Sequence, residues 1–512
     1  MTRAARRGFG DWWNTPGFAV VALFLAALPL LWPTIPPLID LPSHMGSFHV
    51  ALDVGSSATL SRYFDFHWDV IGNLGVDLLV MPLAKLVGVE LATKAIVILI
   101  PVLTVAGMLW IAREVHGELP PTIGFALPLA YCYPFVFGFV NYCLSMAFML
   151  LGFGLWLRLG RLERLRWRAA VFALIAMAIW ITHAIGWALL VVACACAELH
   201  RRIRKGETWP VAVAGSAISC APLCAPLLVM ATLSRDMPSS TGGWFLPDEL
   251  ARWLISLFRD RWVAWDLAAV ALFFAVLLLA AVRRVGMRLQ AALVLPALAL
   301  LVLFIAAPLN INHSGFVNVR IAPYALALLA LAIGTPLASA RQRHGLAIVA
   351  SGFFVLRMAA TTASMALYSM DYTANLKALD HIDRGAAIVA FSPVSCKRGF
   401  ASWHNPRVYH LPSMAIVRRD AFVNSEWQID GLQLLRVRYT AARPFDSDPS
   451  EMVTLGCDVP GARRLEAAIA GFPRPAFDYL WLLEIPPSAW PHDPSLTLVW
   501  SRDDSALYRI AH

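Results

Sequence analysis

A short polar run, Asp40-Leu41-Pro42-Ser43-His44, with His49 and Asp53 close behind, interrupts a chain that is otherwise apolar stretches and arginine-rich turns. A carboxylate beside imidazoles has the makings of a general base, able to take the proton of an attacking hydroxyl while a leaving group departs. Asp followed by proline inside a first helical turn is also a familiar helix start, so Asp40 has an N-capping reading beside the catalytic one. A helix running on from it would set His44 on the same face, one turn along. His44, His49, His67, Asp65 and Asp69 together offer imidazole and oxygen ligands to a divalent metal, but no spacing among them is diagnostic. These residues make no cofactor certain, and a divalent metal stays open.

Other polar groups sit where apolar runs begin or end. Arg320 opens an apolar span on the side poor in basic residues. It either snorkels to the interface or presents a guanidinium suited to gripping phosphate. Asn310, Asn312, His313 and Asn318 surround it in sequence. Asn73 and Asp77 stand four residues apart where polar sequence gives way to apolar, and a carboxylate within apolar sequence is a functional candidate. Asn141, beside Tyr142, lies at a turn it can also simply satisfy. His183 divides two short apolar blocks, where a buried hydrogen-bonded histidine and a ligand are the competing readings. The substrate-facing candidates are thus His44, His49, Asn73, Asp77, Asn141, His183, His313 and Arg320, around Asp40 as catalytic carboxylate. The aromatic group Trp244, Phe245, Trp253, Trp262 and Trp265 reads as an interfacial belt.

The elements that must hold these residues are membrane helices. Of 512 residues, 59% are hydrophobic and 15% charged, with a mean hydropathy of +0.63. That composition excludes an ordinary soluble domain. Apolar windows recur at the ~20 residues needed to cross a bilayer core of about 30 Å. The net charge of +9 lies mostly in short turns, where arginine orients a membrane protein rather than binding nucleic acid.

Eleven spans are expected, near residues 18–32, 91–112, 123–140, 142–157, 209–233, 263–282, 289–309, 321–338 and 346–367, with two short ones inside the block 169–198. The block 169–198 has basic turns at both ends, so it must be a hairpin bent at Thr182-His183-Ala184-Ile185-Gly186. Residues 76–89 read as a surface helix or half a tilted span. Arg3, Arg6 and Arg7 place the N-terminus in the cytoplasm. The first apolar run lacks a small-residue cleavage site and reads as a retained helix. The first outer loop covers about 33–75, and the membrane domain 1–370.

From residue 371 to 512 charges, prolines and alternating strands take over, as in 386–391 and 479–484, behind an expected amphipathic helix at 372–384. Helix followed by strand suggests a small outer α/β domain. Cys396 and Cys457 fall in this tail and are disulfide candidates outside the cytoplasm. The other six cysteines lie in apolar spans and read as packing residues. The fold class is therefore mostly α: a polytopic membrane protein with a C-terminal extracytoplasmic α/β domain.

This order of features resembles the GT-C glycosyltransferases, polytopic enzymes that use polyprenyl-phosphate sugars. The likeness lies in an acidic residue in the first outer loop, many further spans and a soluble outer C-terminal domain. It is nearest to the bacterial branch of lipid A and lipopolysaccharide-core transferases and protein mannosyltransferase-like proteins. Many of those carry a paired Asp-Glu in the loop, whereas here Asp40 is followed by Leu41. The resemblance implies an inverting transferase of the inner membrane with Asp40 as base. It would carry a sugar from a polyprenyl-phosphate donor, its phosphate held by groups such as Arg320, to a lipid, glycan or protein acceptor on the periplasmic face. Two other classes compete: a lipid-linked glycan transporter or export partner, and a non-catalytic assembly protein that presents its outer domain.

Overall fold

The computed structural model describes residues 10–233, 241–311, 315–396, 403, 407–429 and 433–512. The amino-terminal arginines and His313 lie outside the described residues.

Helix α1 (Pro16–Leu31) starts where the Thr15 hydroxyl accepts the Phe18 amide. The outer loop then forms α2 (Leu41–Asp53), α3 (Ala58–Tyr63) and strand β1 (Phe64–Phe66). Helix α4 (Gly75–Val87) has 13 residues, too few to cross a bilayer, and packs beside α5 (Val89–His116). The chain continues through α6 (Tyr133–Phe137), α7 (Val140–Arg161), α8 (Leu165–Thr182) and α9 (Ala184–Arg204). Next come α10 (Trp209–Cys220), α11 (Ala225–Thr232), α12 (Pro247–Ile255) and α13 (Val263–Ala281). Strand β2 (Arg288–Leu289), α14 (Ala291–Ala306), α15 (Val317–Leu331), strand β3 (Ile333–Gly334) and α16 (Ala340–Asn375) complete the membrane part.

Among the described residues, seven helices are long and apolar enough to cross a membrane, and four shorter apolar helices accompany them. These eleven coincide with the eleven expected spans. The hairpin bends at His183, whose extended backbone (φ −167°, ψ 128°) separates α8 from α9. Helices α7 and α15 form the centre, buried along most of their length. The expected belt divides: Trp244, Phe245, Trp262 and Trp265 are exposed, but Trp253 is buried against Tyr133 and Phe316.

No separate amphipathic helix begins at residue 372. Instead α16 runs 36 residues to Asn375, a length of about 54 Å that exceeds the bilayer core and carries the tail beyond it. A seven-stranded sheet follows. Its strands are β4 (Ala387–Pro393), β5 (Phe422–Val423), β7 (Met452–Thr454), β8 (Arg463–Arg464), β9 (Tyr479–Leu482), β10 (Leu496–Arg502) and β11 (Ser505–Ile510). The apolar β4 is its centre, parallel to β5, β7 and β9, with Ile388 opposite Tyr479. Helix α17 (Met414–Arg419) precedes β5. Cys396 and Cys457 are bridged, their Cα atoms 5.9 Å apart.

The tail does not stand apart from the rest. Strand β6 (Leu435–Val437) pairs antiparallel with β1 of the outer loop, Asp65 opposite Arg436. Arg418 forms a two-pronged pair with Glu90 at 2.8 and 2.9 Å. Arg407, fully buried, donates to the Pro37 carbonyl at 2.6 Å and to Asp260. Asp260 also accepts from Ser364, while Asp266 accepts from Arg357 at 2.9 Å and Trp403 at 3.0 Å. These bonds lock outer loop, membrane helices and sheet together.

Candidate functional site

A cavity of about 330 Å³ opens where the start of α2, the segment before α4, the start of α7, the bend between α8 and α9, and the start of α15 converge. All of these lie at the helix ends opposite the arginine-rich turns. The loop after β5 closes it with Trp427, Ile429 and Gln433. Asp40, His44, Asn73, Asn141, His183 and Arg320 line it.

Asp40 occupies the N-cap position of α2, with Pro42 in the first turn, but its side chain makes no capping hydrogen bond. The carboxylate faces the cavity instead. Its backbone amide donates to the Phe137 carbonyl at 3.0 Å. That approach needs Gly138, whose φ of +107° is left-handed and where a Cβ would lie 2.7 Å from the Asp40 nitrogen. Asp40 is 6% exposed. Burial raises its pKa well above the ordinary carboxylate range, the charge of Asp448 adds to this, and Arg320 offsets part of it. A carboxylate so placed is a stronger base than one in water.

His44 follows one turn along α2, its ring 5.1 Å from that of Trp427. Burial, then His410, lowers its pKa to about 4, so it is neutral at pH 7. Arg320 does not snorkel: it is buried, with its guanidinium 4.4 Å above the Phe139 ring and 5.8 Å from that of Tyr142. Cation–π packing of this kind holds a desolvated guanidinium in place. The Tyr142 hydroxyl donates to the Arg320 carbonyl and joins α7 to α15.

Asn141 works as a staple. Its Oδ1 accepts the Val76 amide at 2.6 Å, while Nδ2 donates to the Asn73 carbonyl at 3.0 Å and to Asp77 at 2.9 Å. Asp77 is thus held by Asn141 and does not line the cavity. His183 accepts the Ile185 amide at Nδ1, 3.2 Å, and so caps α9 while its ring stands edge-on to Tyr142. His49 lies elsewhere. It bridges Asp53 at 3.2 Å and Asp420 at 2.9 Å and lines a second cavity with Lys85, Glu90 and Lys94. The candidate metal set does not converge either: His67 pairs with Asp65 at 2.9 Å and is 68% exposed, whereas the half-buried His44 faces the cavity.

Sequence reasoning assigned no chemistry to the tail, yet the tail supplies one wall of the cavity. His410 places Nε2 3.8 Å from the Asp40 carboxylate, beyond hydrogen-bond length. Its Nδ1 donates to the Ser425 carbonyl at 2.8 Å, and its ring lies 4.6 Å from that of Trp427. The buried Glu426 reaches α2 where Gly46 leaves room, since a Cβ there would sit 2.6 Å from a Glu426 oxygen. Some 370 residues separate these groups from Asp40 along the chain, and no spacing rule links them. The one local signal was a polar cluster, Asn424-Ser425-Glu426, directly after an apolar strand.

No family model matches the chain, and no curated protein matches it. Among solved structures, the apo-state crystal structure of ArnT from Cupriavidus metallidurans is similar in fold, with a TM-score of 0.49 and 12% identity, covering 96% of each chain.

Proposed function

We propose that this protein is a multi-pass inner-membrane glycosyltransferase of GT-C type. It moves a sugar from a polyprenyl-phosphate carrier to a lipid, glycan or protein acceptor on the periplasmic face, with Asp40 as general base. One observation carries the reading: an uncapped, buried carboxylate shares a mainly apolar cavity with a buried guanidinium, at the helix ends opposite the arginine-rich turns. By the positive-inside bias those turns lie in the cytoplasm, so the cavity opens outward. The Cys396–Cys457 bridge supports an oxidising compartment for the tail.

Arg320 suits the donor's phosphate, and the apolar helix surfaces below it suit a polyprenyl tail. Anchoring that tail holds the sugar's reacting carbon beside Asp40, so positioning contributes much of the rate. Asp40 takes the acceptor hydroxyl's proton as that oxygen attacks, and the phosphate leaves with the bonding electrons towards Arg320. Neutral His44 can hydrogen-bond sugar or acceptor hydroxyls, and the Trp427 face can stack on a sugar ring.

The test compares lipid-linked glycans and their products in cells carrying the native chain and Asp40→Asn, at matched membrane levels. Accumulated donor and lost product are expected. An unchanged glycan profile overturns the enzymatic reading and leaves the assembly role.

A further inference from the structure

Behind the cavity wall lies a group of side chains that the transferase reading does not use. His410, Asp448 and Glu451 bring one nitrogen and two carboxylate oxygens within 4.8 Å of one another. We propose that these three residues bind a first-row divalent cation, manganese or zinc, at the seam between the outer sheet and the Asp40 cavity. The inference does not rest on the transferase reading: it stands on the grouping of these three side chains, although His410 also backs the cavity wall beside Asp40.

Three independent observations support it. Glu451 is 0% exposed, and among the described residues its carboxylate meets no donating side chain: the side chain it faces is the Asp448 carboxylate, and the two can approach only around a shared proton or a cation. A buried carboxylate without a donor is costly and needs a proton or a cation. Next, the surrounding charge has the wrong sign for an ion pair. The charges acting on Glu451 are those of Asp448 and Glu426, and among the described residues no lysine or arginine pairs with any of the three. Glu426 likewise keeps one buried oxygen, Oε1, unpartnered.

The third observation is the orientation of His410. Because a carbonyl only accepts, Nδ1 must carry the proton it gives to Ser425. Neutral imidazole then leaves the lone pair on Nε2. A histidine whose far nitrogen is tied to a backbone carbonyl is the usual arrangement behind a metal ligand.

The donor set chooses the ion. One imidazole among carboxylates suits zinc or manganese better than the all-oxygen ions calcium and magnesium. Bonds of about 2.0–2.2 Å place neighbouring ligand atoms roughly 3–4 Å apart. Small side-chain rotations from the present spacing would reach that. The bound ion would compensate the carboxylate charges and fix the His410 ring against Trp427.

The experiment uses the full chain purified in detergent, stripped with EDTA, dialysed, and titrated with MnCl₂ and, separately, ZnCl₂. About one equivalent per chain should bind. Glu451→Gln and His410→Ala should each weaken binding at least ~tenfold, while Asp40→Asn keeps the ion. Loss of transfer in Asp40→Asn with the ion retained separates the two proposals. Should the variants not fold, pulsed electron paramagnetic resonance of Mn²⁺ on the native chain replaces them and should show coupling to one imidazole nitrogen. Three results overturn the proposal: no bound ion in the native chain, equal affinity in both folded variants, or bound Mn²⁺ without nitrogen coupling.

Discussion

Two buried polar regions flank the seam between membrane helices and sheet, and they are built on opposite rules. In the anchoring network each charge faces an opposite one: Arg407 on Asp260, Arg357 on Asp266, with Ser364, Trp403 and the carbonyls of Pro37 and Phe258 adding further hydrogen bonds. Around the cavity, Asp40, Glu426, Asp448 and Glu451 press four carboxylates together, with Arg320 the cation that bears on Asp40. Paired charges hold a fold in register but do no chemistry. Unpaired ones cost stability, and they persist where a proton, a cation or a substrate completes them.

Breaking each region should therefore damage different things. The largest effect is expected from Asp40→Asn, which should lower the transfer rate by about 10²–10⁴-fold while leaving the thermal midpoint and yield near native. A matching collapse of folding would move Asp40 into the structural class. In the anchoring network, Asp260→Asn leaves Arg407 buried without its counter-charge and should cost about 3–5 kcal/mol. Thermal unfolding in detergent would register this, and pairing it with Arg407→Met should recover much of the loss.

The cavity side should reveal itself by pH. Burial, with Asp448 adding, raises the Glu426 pKa to about 8, against about 4.3 in an unfolded chain. Between those values the folded state holds a proton the unfolded state has released. Stability must then fall as pH rises from about 4.3 to 8. Measured in EDTA, the thermal midpoint of the native chain should drop across that range, and Glu426→Gln should flatten the slope. The smallest effect is expected at the rim: Arg384, largely exposed, pairs with Asp420, and Arg384→Ala should change stability by no more than about 1 kcal/mol. A larger loss would show that the His49–Asp420 contact depends on it.

The eleven apolar helices, the bend at His183 and the strands around Ala387 and Tyr479 were legible in the linear order of residues. Each is a local requirement: a helix facing lipid must be apolar for its whole length, and a strand must alternate or stay apolar over a few residues. Asp40 stood out for the same reason, as a charge where the surroundings are not. The fate of its carboxylate was not local. Whether it capped α2 or faced a cavity depended on Gly138 bringing the Phe137 carbonyl to its amide, which is a matter of how α2 meets α6.

Arg320 shows the same limit. A guanidinium at a helix start can reach water or fold inwards, and the choice fell to Phe139 and Tyr142 on a neighbouring helix. His49 was drawn to Asp420, more than 370 positions away, and away from His44, five residues before it.

What the sequence determined alone was therefore the places of the apolar helices, the side on which the arginines gather and the presence of an isolated carboxylate just after the first span. Hydropathy and charge act over single turns and spans, so they can be read without a partner. The closing of the cavity by Trp427 and the gathering of His410, Asp448 and Glu451 behind it were decided by tertiary structure. Those contacts join outer loop and tail through β1 and β6, and pairing between strands so distant leaves no period or spacing along the chain.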